Sequence, residues 1–149
     1  MKIIKVPKLG KELENIPFRI ENGFVYAKFY EQGVQAGFPS PAEDFVEQKL
    51  SLDEKYISNP NNTYLIKVKG NSMFPTLQIG DILIVKSDEE LKNNKIAIIS
   101  VNNTDYTVKR FDKRKKILIA DNSEFTNIEI HNDDTILCLG VVKQLIRDV

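Results

Sequence analysis

The chain has 149 residues, of which 42% are hydrophobic and 28% are charged, a size and balance typical of one folded domain. Its 21 Lys and Arg residues equal its 21 Asp and Glu residues in number, which excludes a protein that coats DNA with its whole surface. The single cysteine, Cys138, and the single histidine, His131, cannot supply an internal disulfide or a zinc site, so no structural metal is expected.

Targeting signals are not recognisable in the sequence. The N-terminus Met1-Lys2-Ile3-Ile4-Lys5-Val6-Pro7 lacks the apolar core of a signal peptide, and no apolar run approaches the ~18 residues of a membrane span. A lone cysteine also suits a reducing compartment. We therefore expect a soluble protein of the cytoplasm.

Residues 1–36 have the composition of an extended arm. Lys, Glu, Asn and Gly interrupt each apolar stretch, and only residues 24–30 resemble a short strand. Closely spaced prolines and glycines leave no room for the three helices, of ~10 residues each, that a helix-turn-helix domain needs. The segment that follows, Ala36-Gly37-Phe38-Pro39-Ser40-Pro41, is rich in prolines and small residues and predicts an exposed connector that a protease can reach.

Two short helices are predicted after this connector. Ser40 suits the N-cap of the first, with Pro41 at its first position and a glutamate completing a capping box, and apolar residues continue on one face through Leu50. The sequence Ser51-Leu52-Asp53-Glu54 repeats the capping pattern and predicts a second helix, which ends at the Asn-Pro sequence that follows.

From Tyr64 onward the chain has the pattern of strands, with short runs of branched apolar residues bounded by Gly, Asn or Asp. Because no helix in this region is long enough for parallel crossovers, we predict a mostly β domain with a largely antiparallel sheet that curls on itself. The predicted strands are Tyr64–Lys69, Asp81–Lys86, Ile96–Val101, Tyr106–Phe111, Ile117–Ala120, Ile128–Ile130 and Thr135–Leu145.

A serine lies in a predicted tight turn between the first two of these strands. In Gly70-Asn71-Ser72-Met73-Phe74-Pro75, Gly70 permits unusual backbone angles and Pro75 stiffens the exit. The Ser72 hydroxyl and the amides of Ser72 and Met73 would then face outward together, as a nucleophile beside an oxyanion site requires. A serine in an ordinary surface turn explains the same six residues.

A nucleophilic serine needs a base, for which two residues are candidates. His131 lies in a polar segment typical of a solvated turn, so a Ser-His-Asp triad is disfavoured. A lysine can serve when burial disfavours the ammonium form. Lys109 lies within a predicted strand, on the face of Thr107 and Phe111, although an ordinary exposed lysine fits that alternation too.

Two further features have alternative interpretations. The run Lys113-Arg114-Lys115-Lys116 would suit DNA or a nucleoprotein filament, but a solvated hairpin turn is favoured because Asp112 interrupts the cluster and the chain has no net charge. Cys138 lies in an apolar stretch, where an inert thiol in the core is expected.

Several motifs between residue 36 and the C-terminus stand in a distinctive order. Their spacing is also distinctive, with 35 positions from Gly37 to Ser72 and 37 from Ser72 to Lys109. Together they resemble the LexA-like self-cleaving serine peptidases, most closely the UmuD-like branch of accessory subunits of error-prone polymerases. The motifs are Ala36-Gly37, Phe38-Pro39-Ser40-Pro41-Ala42-Glu43-Asp44-Phe45-Val46-Glu47-Gln48, Gly70-Asn71-Ser72-Met73, Gly80-Asp81-Ile82-Leu83-Ile84-Val85 and Thr107-Val108-Lys109-Arg110.

The resemblance implies catalytic roles for Ser72 and Lys109. Ser72 would be the nucleophile and Lys109 the general base, with the backbone amides of Ser72 and Met73 as the oxyanion site. The resemblance implies no metal and no cofactor.

The resemblance also implies that the substrate is the protein itself. The bond attacked would be Ala36-Gly37, with Val34 anchoring the preceding stretch as an added edge strand. Residues 1–36 would be the arm that self-cleavage removes, and residues 37–149 would be the peptidase domain. Alanine before the bond is similar to the LexA version of the site.

The partners implied are a second copy of the chain, RecA on single-stranded DNA as the stimulus for cleavage, and a UmuC-like Y-family DNA polymerase in SOS translesion synthesis. Neither a membrane nor sequence-specific DNA is an expected partner. Two alternatives stay open: a non-catalytic interaction module with the same fold, and a regulator similar to LexA or a phage repressor without its DNA-binding domain.

Overall fold

The computed structural model describes residues 8–18, 23, 27–30 and 47–149. They belong to two units, one made of residues 59–149 with the described part of 1–20, the other made of the described part of 21–58. The elements in chain order are β1 Leu13–Ile16, β2 Ala27–Tyr30, β3 Glu47–Leu50, α1 Leu52–Tyr56, a 3-10 turn Pro60–Asn62, β4 Thr63–Val68, β5 Ile82–Lys86, β6 Ile96–Val101, β7 Thr107–Asp112, β8 Ile117–Ile119, β9 Ile128–Glu129 and β10 Ile136–Ile146.

The larger unit is built on one eight-stranded sheet. Its strands lie in the order β1-β4-β5-β10-β6-β7-β8-β9, and every neighbouring pair is antiparallel. At one point the sheet curls back on itself, because Leu9, ahead of β1, forms a bridge with Tyr106, ahead of β7. The prediction of a mostly β, antiparallel and curled sheet is confirmed.

All seven predicted strands are present, and each bound lies within one residue of its predicted position. The apolar runs of β5 and β6 are uninterrupted because consecutive residues of these two strands are buried on both faces. On β6, for example, Ile98 packs in one core cluster while Ala97 and Ile99 pack in another. The larger cluster contains Leu13, Ile66, Val68, Met73, Leu77, Leu83, Val85, Ile98 and Val108.

Strand β1 is a correction to the prediction of an extended arm over residues 1–36, in which only residues 24–30 resemble a strand. It pairs with β4 from Leu13↔Val68 to Ile16↔Leu65. Leu13 is 6% exposed and belongs to the larger core cluster. Gly10 and Pro17 bound this strand, but four residues are too few to show a strand period.

The smaller unit corrects one prediction and confirms another. The first predicted helix was expected to continue through Leu50, but Glu47–Leu50 is strand β3, which pairs antiparallel with β2. Pairing between distant segments here outweighs local helix signals. The second helix is confirmed as α1, and the Ser51 hydroxyl caps it by accepting a hydrogen bond from Glu54 N at 3.4 Å.

The structure also decides the placement of residues 113–116 and of Cys138. Residues 113–116 are all exposed and form the turn between β7 and β8, so the solvated hairpin is confirmed. Cys138 is exposed, which contradicts its expected place in the core. Strand β10 changes register between Cys138 and Gly140, and such a bulge alters which side chains face the core. Within the described residues, no helix is long and apolar enough to cross a membrane.

Candidate active site

The serine turn lies between β4 and β5 and is anchored in the core. Met73 and Leu77 are buried, and the amide of Leu77 donates to the Met73 carbonyl at 2.9 Å. The amide of Phe74 donates to the Asn71 carbonyl at 3.1 Å. Because these buried side chains and hydrogen bonds fix the turn, Ser72 is held in one position, where it is 2% exposed.

Gly70 has a different role from the one predicted. Its backbone is outside the left-handed region that favours glycine, so unusual angles do not explain it. Instead, the side chain of Glu12 lies directly over it, and a Cβ at position 70 would stand 2.5 Å from Glu12 Cγ. Gly70 therefore makes room for a segment that lies across the serine turn.

A loop after β8 holds the outer side of the serine turn. The amide of Asn122 donates to the Ser72 carbonyl at 3.0 Å, and its side-chain Nδ2 donates to the Asn71 carbonyl at 3.0 Å. The amide of Asp121 donates to Met73 Sδ at 3.4 Å. A surface depression of about 400 Å³ adjoins this contact and is lined by Asn71, Phe74, Asn122, Ser123 and Glu124.

An ion pair connects this loop to the strand that carries the lysine. Arg110 on β7 donates to both carboxylate oxygens of Asp121, at 2.9 and 2.7 Å, and Thr76 of the serine turn donates to Asp121 at 2.6 Å. The Arg110 guanidinium lowers the pKa of Asp121 from its ordinary value. Asp121 therefore fastens the serine turn to β7 next to Lys109.

The structure brings Ser72 and Lys109 together. Lys109 is 6% exposed on β7, and its Nζ lies 3.0 Å from Ser72 Oγ. Nζ also donates to Thr107 Oγ1 and to the Val108 carbonyl, both at 3.1 Å. Thr107 lies on the same face as Lys109, as strand alternation predicted. Thr107 was not proposed as a site residue, although that alternation was the signal for it.

A carboxylate from the N-terminal segment reaches the same two side chains. Ser72 Oγ donates to Glu12 Oε2 at 2.8 Å, and the Ser72 amide, one of the two predicted oxyanion donors, points to Glu12 Oε1 at 3.3 Å. Lys109 Nζ forms an ion pair with Glu12 Oε2 at 3.4 Å, and Thr107 Oγ1 lies 3.5 Å from the same oxygen. Sequence reasoning missed Glu12, which no recognisable motif contains.

The remaining predicted site residues fall in different places. Val34, Ala36 and Gly37 lie outside the described residues. Met73 follows Ser72 in the turn with a buried side chain. His131 is exposed in a turn, where its amide donates to Asp134 at 2.7 Å, and it makes no hydrogen bond to Ser72 or Lys109.

A curled antiparallel sheet with a buried serine beside a buried lysine is the arrangement of a serine peptidase-like protein. Residues 28–143 match the family described as Peptidase S24-like, and the chain belongs to this family. The resemblance to LexA-like peptidases and their UmuD-like branch is thereby confirmed at the level of the family.

Three relatives illustrate the similarity. Protein ImpA of Salmonella typhimurium is 36% identical over 117 residues, which cover 76% of this chain and 78% of ImpA. Protein MucA of Escherichia coli is 34% identical over 117 residues, or 76% of this chain and 80% of MucA. The LexA repressor of Shewanella piezotolerans is 35% identical over 100 residues, or 65% of this chain and 48% of the repressor.

Proposed function

We propose that this protein is a self-cleaving serine peptidase with a Ser72-Lys109 dyad, and that its substrate is its own Ala36-Gly37 bond. The observation that carries the proposal is the 3.0 Å distance between Ser72 Oγ and Lys109 Nζ, with both side chains nearly inaccessible to water. A buried lysine beside a serine is a costly arrangement that a surface turn does not need. Membership of the Peptidase S24-like family supports the same reaction class.

The reaction follows from this pair. The unprotonated amine of Lys109 takes the proton of the Ser72 hydroxyl, and Oγ forms a bond to the carbonyl carbon of Ala36. The amides of Ser72 and Met73 would stabilise the oxyanion. When the C–N bond breaks, the lysine ammonium gives its proton to the new amine of Gly37. Water then attacks the ester while Lys109 accepts a proton from it, and Lys109 returns that proton to Ser72 Oγ as the ester bond breaks, which leaves a carboxyl group on Ala36.

The products would be an arm of residues 1–36 and a domain of residues 37–149. We propose that the protein acts in the cytoplasm, that RecA on single-stranded DNA stimulates cleavage, and that the product serves a UmuC-like Y-family polymerase in SOS translesion synthesis. These partners follow from the resemblance to the LexA-like family. A homodimer is the state we propose for the domain, supported by exposed apolar side chains on β10, namely Leu137, Leu145 and Ile146.

The test is intact mass after incubation of the purified full chain at about pH 10, near the ordinary pKa of a lysine amine, where a larger fraction of such a base is unprotonated. We expect two fragments that meet at Ala36-Gly37 in the parent and none in Ser72→Ala or Lys109→Ala. Ser100→Ala is the matched control, since Ser100 is an equally buried serine that donates to the Thr104 carbonyl. It should cleave like the parent.

An intact parent mass at this pH, unchanged after addition of RecA, ATP and single-stranded DNA, would contradict the proposal. The alternative of a non-catalytic interaction module would then be favoured. Cleavage at Ala36-Gly37 in Ser72→Ala would also contradict it, because another nucleophile would have to act.

A further inference from the structure

The segment of residues 8–16 crosses the candidate active site from one side to the other. At its start the amide of Gly10 donates to the Tyr106 carbonyl at 2.8 Å, just ahead of β7. At its end, β1 pairs with β4, and the amide of Lys69 donates to the Glu12 carbonyl at 2.6 Å. Between these contacts the chain makes a turn, closed by the Leu13 amide donating to the Gly10 carbonyl at 3.2 Å, and this turn places Glu12 over Ser72.

Glu12 is the part of this segment that enters the site. One carboxylate oxygen accepts from the Ser72 hydroxyl and the other lies near the Ser72 amide. An acid released by peptide hydrolysis would place its carboxylate between the same two groups, one oxygen on the nucleophile and one on an oxyanion donor. The Glu12 side chain thus occupies the position of a reacting carbonyl while offering no bond that can be cleaved there.

The charge of Glu12 also opposes the reaction. Its Oε2 lies 3.4 Å from Lys109 Nζ, and this ion pair uses the ammonium form of the lysine, which has no lone pair to accept the serine proton. Ser72 Oγ is itself held as a donor to the same oxygen. Both members of the dyad are therefore engaged by one carboxylate.

We propose that residues 8–16 are an inhibitory segment that covers the dyad, with Glu12, presented by a turn, as a product-like plug on Ser72 and Lys109. The inference rests on the proposed self-cleavage. Gly70 supports it, because its missing side chain accommodates Glu12 at a distance that no Cβ would allow. The carbonyl of Ala36 reaches Ser72 only when Glu12 has left, so the cleavage rate scales with the fraction of molecules whose cleft is open.

The test compares self-cleavage of the full chain in Glu12→Ala, Glu12→Gln and Glu14→Gln by intact mass, at one pH and without RecA. Glu14 is the matched control, a glutamate two positions further on that pairs with Lys69 at the surface. We expect Glu12→Ala to cleave at least about tenfold faster than the parent, the effect of losing about 1.4 kcal/mol of docking free energy. Glu12→Gln should also be faster, and Glu14→Gln should match the parent.

Amide hydrogen exchange provides a readout that does not need catalysis. In Glu12→Ala the amides of Gly10 and Lys69, which hold the segment at its two ends, should exchange faster, while those of β5 exchange as in the parent and show that the sheet is folded. Glu12→Gln serves the same purpose if the alanine variant does not fold.

Two outcomes separate this inference from the proposed function. If the parent cleaves at about pH 10 but neither Glu12 variant cleaves faster than the parent, the inhibitory role of residues 8–16 is wrong and the self-cleaving dyad stands. If no variant cleaves at any pH, the proposed function fails, and the inference fails with it.

Discussion

Strands β1 and β5 flank the same strand, β4, and both pair with it antiparallel, yet they are held in different ways. The pairing is similar in extent, with four residue pairs for β1 and five for β5. The two strands differ in how much of each is buried. Strand β5 has three buried residues, Leu83, Ile84 and Val85, whereas Leu13 is the one buried residue of β1.

The difference shows how one sheet can hold both a permanent and a removable strand. Backbone hydrogen bonds contribute little net stability, because water offers similar bonds to a free strand. Buried apolar area decides how firmly a strand is attached. Strand β5 is therefore part of the fold, and β1 is attached weakly enough to leave the active site when the cleft opens.

Removing one buried leucine from each strand gives the largest expected effect. Leu83→Ala should lower the free energy of unfolding by about 3 kcal/mol, because Leu83 is fully buried and the smaller side chain leaves a cavity in the core. Leu13→Ala should lower the free energy of unfolding by about 1 kcal/mol. The effect is smaller because β1 can detach from the sheet while the rest stays folded, so a mutation in β1 can remove no more stability than the docking of β1 provides. Denaturant unfolding monitored by circular dichroism measures both values.

Leu13→Ala has a second expected effect, since a weakened β1 should also speed self-cleavage. Ile79→Ala is the control for both measurements, because Ile79 is 58% exposed in the serine turn. Equal losses of stability for Leu13→Ala and Leu83→Ala would show that β1 is as much a part of the fold as β5.

The ion pair at the start of β5 gives the next largest effect. Asp81 is buried and accepts from both Arg147 Nε and Nη2 at 2.7 Å, which fastens β5 to the end of β10. Asp81→Asn should lower the free energy of unfolding at pH 7 by about 2 kcal/mol, the typical contribution of hydrogen bonds to a charged group. Asp148→Asn, at an exposed position next to Arg147, should change it little.

This ion pair also predicts a pH dependence. Hydrogen bonding from Arg147 lowers the pKa of Asp81 from its ordinary value. Its folded pKa lies below the unfolded value of about 3.9, so its contribution is complete above that value and is lost as the pH falls through the folded pKa. Urea unfolding between pH 5 and about 3 should therefore show a steeper loss of stability in the parent than in Asp81→Asn. Parallel curves would contradict this role.

The smallest effect is expected on the exposed side of β1. Lys69→Ala removes an ion pair with Glu14 whose two side chains are both about half exposed. Such pairs contribute little, so the free energy of unfolding should fall by less than about 0.5 kcal/mol and the cleavage rate should not change. An acceleration similar to that of Glu12→Ala would mean that surface charge, rather than Glu12, holds the segment in the cleft.

Much of the larger unit could be predicted because its signals are local. Apolar runs between turn residues predicted its seven strands from β4 to β10, and in the smaller unit a capping pattern predicted α1. The helix expected through Leu50 was wrong because β3 is stabilised by pairing with β2, more than fifteen positions earlier in the chain. Cys138 was misplaced because an apolar stretch does not by itself show which of its side chains face the core.

The candidate site also contains residues that the sequence could predict and one that it could not. Ser72 and Lys109 could be proposed from their motifs, their spacing and their resemblance to a known family, all of which are present in the sequence itself. Glu12 had no such signal, because its contacts join it to residues 60 and 97 positions away along the chain. The residues around Glu12 in the sequence would be the same whether its side chain lay at the surface or on the candidate nucleophile. Only the packing of β1 against β4, with one buried leucine and space over Gly70, distinguishes them.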